Sequence, residues 1–264
     1  LFAKIYPFLA RDLGKTGACA KGFFGRGFQE TAHPLYSHRV RFDNTRRTTA
    51  MLSPAVMAAA DGFDPQQELV ERLPADWMKL PAQTRAQYLE TVTFLEGYLL
   101  HTQGDRMLMG NAVEGRFPFL DYRLWEFAAK VPPRLLLRGL REKHLLREAV
   151  GPMLPIDIAK RQKRPYRAPI LRAFVGEGAP SYVAEVLDPA TLSDAGLFDA
   201  EMVGRLLAKC RANLERGVSE TDEMALVAVV SGMLLHRQFV ESPRLSPATH
   251  PNREVVGDKL ERRS

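Results

Sequence analysis

The sequence has little cysteine and no long apolar run. Only Cys19 and Cys210 occur among 264 residues, which is too few for a disulfide framework or a cysteine-based metal cluster. The longest uncharged stretch, Met224–Leu235, is far shorter than the roughly 20 apolar residues of a membrane span. No signal peptide pattern opens the chain. We therefore expect a cytoplasmic protein with no membrane span.

Glycine motifs that bind phosphates are also missing. Gly22 and Gly27 have the spacing of a Walker loop, but Phe28 stands where that loop needs lysine. No Gly-Gly pair and no dinucleotide-binding fingerprint occur. Metal-ligand spacing is absent among the six histidines. The chain itself therefore offers no obvious phosphate cradle, and we predict no metal site in it.

Strand patterns are rare, and helix patterns dominate. The only short strand candidates are 40–42 and 116–119. Apolar periodicity and capping residues predict helices that begin after Ser53, Asp121, Asp199 and Ser219, and a long buried helix over Pro81–Gln103 that ends at Gly104. Asp105 is expected to cap a further short helix. The sequence thus predicts a mostly helical domain over residues 1–240, with a disordered tail over 241–264.

Positive charge is concentrated in one part of the chain. Residues 134–172 contain eleven basic residues and three acidic ones. Such a span forms either a solvated face or a pocket for a polyanion such as pyrophosphate. No recognition helix and no aromatic stacking platform accompanies it, so we expect no nucleic-acid partner.

One stretch, Gly104–Asp121, places charged residues among apolar ones. Asp105 and Arg106 open it, and Glu114, Arg116 and Asp121 close it. Charges in an apolar setting are costly unless they are paired. The residues therefore form either a structural ion-pair network or a pocket in which some of them pair with a ligand.

A second stretch, Arg161–Pro169, presents Arg161 and Lys163 before a proline-stiffened loop. Proline reduces the entropy lost when such a loop becomes ordered. A stiff loop that presents a lysine suits a phosphate contact, although an ordinary surface loop would look the same.

Together the two stretches resemble the synthetase domain of glutamine-dependent asparagine synthetases. That family shows an Asp-Arg-Met-x-Met segment followed by Val-Glu-x-Arg-x-Pro-Phe-Leu-Asp. Here these stand as Asp105–Met109 and Val113–Asp121, followed by Lys143–Glu148, Leu154-Pro155 and Arg161–Lys163. The resemblance covers roughly residues 1–240.

The resemblance implies a fold: the C-terminal helical portion of an α/β, adenine-nucleotide-hydrolase-like (ATP-pyrophosphatase) synthetase domain. The family's N-terminal glutaminase and its Ser-Gly-Gly-x-Asp-Ser pyrophosphate loop are absent from this sequence. We therefore expect the chain to be part of a longer enzyme and to be inactive alone.

The resemblance also implies chemistry. ATP would adenylate aspartate, and ammonia from glutamine would displace AMP to give asparagine, with Mg²⁺ and most of the ATP bound by residues outside this sequence. Lys163 matches the lysine that contacts pyrophosphate, and Glu114 is the second candidate catalytic residue. Arg161, Arg116, Asp105, Arg106 and Asp121 are the candidate substrate- or pyrophosphate-binding residues, with Asp121 expected to hold Arg116.

Two alternatives stay open at this point. A related synthetase could amidate a carboxylate other than aspartate by the same route. A non-catalytic helical module that binds a polyanion or a partner chain would explain the isoelectric point of about 9.4 without catalysis. A homodimer is compatible with either alternative.

Overall fold

The computed structural model describes residues 29–139, 141–161 and 168–241. The chain divides into two compact units. Unit 1 comprises the described residues within 29–43 and 64–161, and unit 2 comprises 44–63 and 168–241. The predicted tail after Glu241 lies outside the described residues.

Unit 1 is built from helices and one minimal hairpin. Helix α1, Arg39–Arg46, continues from it into unit 2. The remaining α-helices are α3 (Pro65–Glu71), α4 (Ala82–Glu90), α5 (Arg106–Gly110), α6 (Tyr122–Lys130), α7 (Pro133–Leu136), α8 (His144–Val150) and α9 (Ile156–Ala159). A π-helix covers Thr91–Asp105, and 3-10 turns cover Trp77–Lys79, Pro118–Leu120 and Gly151–Met153. Strands β1 (Leu137–Arg138) and β2 (Arg141–Glu142) pair antiparallel, with Leu137 opposite Glu142.

The regular elements of unit 2 in its described part are helices, and one isolated antiparallel bridge pairs Leu52 with Phe198. A 3-10 turn, Arg47–Met51, leads into its first helix. Its α-helices are α2 (Pro54–Ala59), α10 (Ile170–Val175), α11 (Ser181–Val186), α12 (Pro189–Ala195), α13 (Ala200–Ala212) and α14 (Glu220–His236), and a π-helical turn covers Arg237–Glu241. The prediction of a mostly α protein is therefore confirmed.

The core of unit 2 forms around α13 and α14. Leu226 and Val229 of α14 and Val203 of α13 are fully buried. The helix ends follow from the sequence: Asp199 accepts hydrogen bonds from Glu201 and Met202, and Ser219 forms a capping box with Asp222. Each cap satisfies backbone N–H groups that have no partner within the helix.

The segment Glu220–Glu241 is long and apolar enough to cross a membrane by length and composition alone. Five of its side chains are instead buried in the core of unit 2: Ala225, Leu226, Val229, Val230 and Met233. The apolar side chains near the end of the segment, Leu235, Phe239 and Val240, are exposed.

Unit 1 has a much smaller core, in which Leu35, Trp77 and Leu89 are the buried apolar residues of the described part. The indole N–H of Trp77 donates to the carbonyl of Pro34 at 3.0 Å. Beside this cluster, His38 contacts a carboxylate oxygen of Glu90 at 2.7 Å. These contacts fix α1 and α4 near the start of the unit.

Two predictions fail in unit 1. The buried helix expected over Pro81–Gln103 is α-helical only to Glu90 and continues as the π-helix through Asp105. Leu89 is the one residue buried in these two elements. The strand candidate 40–42 lies in α1, and the candidate 116–119 covers irregular chain and the first two residues of the 3-10 turn Pro118–Leu120. An apolar pattern predicts burial only where a neighbouring element covers it, and unit 1 supplies little cover.

Candidate functional site

The charged stretch predicted to carry chemistry forms the end of a helix and the turn after it. Asp105 is the last residue of the π-helix and has helical backbone angles, φ −60° and ψ −42°, with no capping hydrogen bond. The predicted Asp105 cap is therefore wrong, because the helix passes through Gly104 without a break. Arg106 is the first residue of α5 and, like Asp105, is exposed.

The turn after α5 is fixed by the backbone. The N–H of Val113 donates to the carbonyl of Leu108 at 2.9 Å, and the N–H of Ala112 donates to that of Met109 at 3.1 Å. Ala112 has a φ of +54°. This is a Schellman ending, with alanine in the left-handed position that glycine usually occupies. It reverses the chain immediately before Glu114.

Close packing holds the reversed chain against the helix. A Cβ atom on Gly115 would lie 2.3 Å from a methyl carbon of Leu108 and 3.1 Å from the ring of Phe117. The same ring would lie 3.8 Å from a Cβ on Gly104. Gly115 thus allows the contact between turn and helix, which sets the direction of the Glu114 and Arg116 side chains.

Glu114 and Arg116 form an ion pair on this turn. The guanidinium of Arg116 lies 2.8 Å from the Glu114 carboxylate, and the side chains of Arg116 and Glu114 are 81% and 67% exposed. An exposed pair of this kind contributes about 0–1 kcal/mol to stability. Arg116 can therefore exchange its partner for a ligand anion at little cost.

Asp121 has a different partner from the one predicted. It caps α6 by accepting from the N–H of Arg123 at 2.9 Å, and it pairs with the Arg123 guanidinium at 2.6 Å. The hydrogen bond from the Arg123 side chain, followed by that from its N–H, lowers the pKa of Asp121. The expected Asp121–Arg116 pair is replaced because a guanidinium two residues along reaches the carboxylate directly.

The second predicted stretch is described only in part. Arg161 is exposed and its N–H donates to the carbonyl of Ile158 at 3.2 Å. Lys163 lies outside the described residues, as do 162–167 generally. The structure therefore brings Glu114 and Arg116 together and assigns Asp121 to α6, while the position of Lys163 stays a prediction.

Sequence reasoning missed the role of Arg147. From α8, its guanidinium donates to the carbonyl of Ala159 at 3.0 Å and to that of Glu142 at 3.2 Å. Arg147 thereby ties the end of α9, two residues before Arg161, to β2 and α8. Its place in the Lys143–Glu148 motif was the available signal, but a long-range bond to a carbonyl has no sequence pattern.

Metal-binding geometry is absent from the described ranges: no group of three or more His, Cys, Asp or Glu side chains there could hold an ion. The carboxylates of Glu114 and Asp121 are already paired with arginines. The described residues thus do not fit Mg²⁺, whereas the exposed Arg106, Arg116 and Arg161 fit phosphate oxygens.

The chain is similar in sequence to segments of much longer proteins. It is 43% identical over 169 residues to amidase chyE of Penicillium rubens, which covers 60% of this chain and 24% of the relative. It is 36% identical over 122 residues to amidase chry2 of Gibberella zeae, covering 43% and 18%. With asparagine synthetase [glutamine-hydrolyzing] 3 of Bacillus subtilis it shares 40% identity over 79 residues, covering 30% and 12%.

The matched segments thus span about a quarter or less of the length of these relatives. No solved structure matches the chain. The family model described as asparagine synthase matches residues 15–236, a range that contains both charged stretches. The chain therefore belongs to the asparagine synthase family, whose domain has an ATP-pyrophosphatase type of fold.

Proposed function

We propose that this chain is the helical part of an ATP-dependent synthetase that forms asparagine from aspartate with ammonia released from glutamine. The observation that carries the proposal is the turn after α5. Its Glu114–Arg116 pair is exposed and held by the Schellman ending, within a range that the asparagine synthase model matches. We also propose a cytoplasmic location, in keeping with the two cysteines.

The proposed reaction has two steps. A side-chain carboxylate oxygen of aspartate bonds to the α-phosphorus of ATP, and pyrophosphate leaves. Ammonia then bonds to the acyl carbon, the bond from that carbon to the AMP oxygen breaks, and a proton is released. ATP supplies the leaving group that makes the acyl carbon reactive.

The residues of this chain would act on the developing negative charge. Lys163 and Arg161 would contact pyrophosphate, with Arg106 and Arg116 contributing further positive charge. Glu114 would orient Arg116, to which it is ion-paired at 2.8 Å. Cations already directed at such charge stabilise a transition state without reorganisation. Asp105 and Asp121 would order the ends of the turn.

We further propose that the chain alone is inactive. It would act together with further protein segments such as those that its longer relatives carry. The amphipathic helix α6 supports this, because all nine of its residues are exposed. Phe127 on that helix is 59% exposed, and Phe119 just before it is 66% exposed. Exposed apolar surface of this extent is typical of an interface.

The test is a hybrid enzyme. Residues 15–236 of this chain, the range that the asparagine synthase family model matches, replace the corresponding part of that domain in asparagine synthetase [glutamine-hydrolyzing] 3 of Bacillus subtilis, and aspartate-dependent AMP formation is measured. We expect AMP from the hybrid and none from the chain alone. A soluble, folded hybrid that forms no AMP with any carboxylate offered would contradict the proposal.

Lys163 is tested in the same hybrid. Lys163→Ala should lower the rate of AMP formation by at least roughly 10²-fold, the effect of losing one directed donor. Lys79→Ala, an exposed lysine of the same unit, is the matched control and should leave the rate unchanged. An unaltered rate in Lys163→Ala would remove Lys163 from the site.

A second candidate function is amidation of a different carboxylate. Two relatives that are named amidases rather than asparagine synthetases motivate it, and one of them shares 43% identity. The hybrid distinguishes the candidates by the carboxylate that stimulates AMP formation. Tight binding of inorganic pyrophosphate without any turnover would instead favour the non-catalytic polyanion-binding module.

A further inference from the structure

Unit 2 contains a cleft on the side of α13 that faces α10 and α11. Its volume is about 410 Å³, within the range of small-molecule sites. Phe174, Leu187 and Leu207 contribute apolar walls, and the start of α11 contributes Pro180 and Ser181. The cleft lies in the unit with the large core, so its walls stand on a folded scaffold.

The floor of the cleft is one stripe of α13. Ala200, Gly204, Leu207 and Arg211 all line it, and their spacing of four, three and four residues places them on the same side of a helix. A Cβ atom added to Gly204 would have no neighbour within 4 Å. The small residues therefore leave open space in the middle of the stripe, and a cation stands at its end.

Ion pairing distinguishes Arg211 from the other two cations of α13. Arg205 lies 3.7 Å from a Glu201 oxygen, and Lys209 lies 2.8 Å from an Asp222 oxygen. Arg211 makes no hydrogen bond or ion pair with any residue that the structure describes. It is thus the cation of this helix that is available to a ligand.

The cleft also contains one carboxylate, that of Asp188. Its Oδ2 accepts hydrogen bonds from the N–H groups of Ala190 at 3.0 Å and Thr191 at 3.4 Å, where it caps α12. The positive end of that helix partly offsets its negative charge. The Oδ2 of Asp188 is therefore already engaged, whereas the donors of Arg211 are available to a ligand anion.

We propose that this cleft binds a small carboxylate with an apolar chain. The chain would lie on Phe174, Leu187 and Leu207, which removes its surface from water. The carboxylate would pair with the guanidinium of Arg211, whose planar donors match the geometry of two oxygens. This site belongs to unit 2, whereas Glu114 belongs to unit 1, and the inference does not depend on the proposed synthetase activity.

The test is calorimetric titration of the full chain with octanoate, and with 1-octanol as the uncharged probe of the same length. We expect octanoate to bind and 1-octanol to bind at least roughly tenfold more weakly, because the charged hydrogen bonds are lost. Equal binding of the two probes, or no binding of octanoate at millimolar concentration, would overturn the proposal.

Two variants locate the binding. Arg211→Gln should weaken octanoate binding by roughly tenfold or more. Gly204→Leu should abolish octanoate binding by filling the cleft. Leucine has a higher helix propensity than glycine, so the fold is retained. Arg205→Gln, on the same helix but outside the lining, is the control and should bind as the wild type does. Octanoate binding that persists in Gly204→Leu would place the probe elsewhere and refute the site.

Discussion

The two units of this chain differ most in how much apolar surface they bury. In unit 2, sixteen buried residues form one cluster, whereas the buried apolar cluster described in unit 1 has three. Unit 1 nevertheless carries exposed methionine and aromatic side chains along the family motif, including Met107, Met109, Phe119 and Tyr122. The unit that holds the candidate site is therefore the one whose apolar surface lacks cover.

The contrast shows that the same kind of sequence pattern can have opposite outcomes. Helices α6 and α14 both begin at a polar cap and both carry apolar residues at helical spacing. In α14 five side chains are buried, and in α6 none is. Since hydrophobic burial dominates folding stability, truncation of apolar side chains should affect the two helices very differently.

Core truncation in unit 2 should give the largest effect. Leu226 is fully buried, and Leu226→Ala should lower the free energy of unfolding by about 2–5 kcal/mol, because it leaves a cavity. Phe127→Ala in α6 removes a larger side chain but should change the free energy of unfolding by about 0.5 kcal/mol or less. Urea unfolding followed by circular dichroism measures both. A Phe127→Ala effect as large as that of Leu226→Ala would contradict the difference in burial between the two helices.

The capping box of α14 should give a smaller, pH-dependent effect. Burial alone would raise the pKa of Asp222, but hydrogen bonds from Lys209 and Ser219 outweigh it, and the pKa lies below its usual 3.8. The folded protein thus binds this proton less tightly than the unfolded chain. The stabilisation is present above about pH 4 and is lost as pH falls through the folded pKa.

Asp222→Asn tests that effect. Near pH 7 it should lower the free energy of unfolding by about 1 kcal/mol, and the difference from wild type should shrink as pH approaches 3. Asp194→Asn, an exposed residue of α12, is the control with little change at either pH. A difference that stays constant between pH 7 and pH 3 would refute the charge-based explanation.

The turn after α5 should give the smallest effect, and one of opposite sign. Ala112 has a φ of +54°, where glycine is free of the steric cost that alanine bears. Ala112→Gly should therefore raise the stability of unit 1 by less than about 1 kcal/mol, measured by urea unfolding. Ala128→Gly in α6 is the matched control and should lower the stability of unit 1 by up to about 1 kcal/mol. Destabilisation by Ala112→Gly would argue against the Schellman ending.

Local features were the ones that could be predicted from the sequence. The helix starts at Ser53, Asp121, Asp199 and Ser219 are all confirmed by side-chain caps. A cap depends on residues two or three positions apart, so the sequence contains all of its determinants. The family is confirmed as well, because its motif is a long ordered string of residues.

Non-local features could not be predicted. The burial expected for Pro81–Gln103 depends on elements that would cover it, and the partner of Asp121 depends on which guanidinium the turn brings near. Arg116 lies five positions before Asp121 and Arg123 lies two positions after it, and the structure pairs Asp121 with Arg123. The bond from Arg147 to the Ala159 carbonyl likewise links residues twelve positions apart.

Hydrogen exchange of the chain alone tests the central claim most directly, namely that unit 2 is stabilised by a large core of its own and unit 1 by a much smaller one. Amide protection follows the free energy of local opening. The account predicts that amides of α13 and α14 exchange at least roughly a hundredfold more slowly than those of α6. Equal protection of α6 and α14 would contradict it, because the motif-bearing unit would then be stable without any further cover.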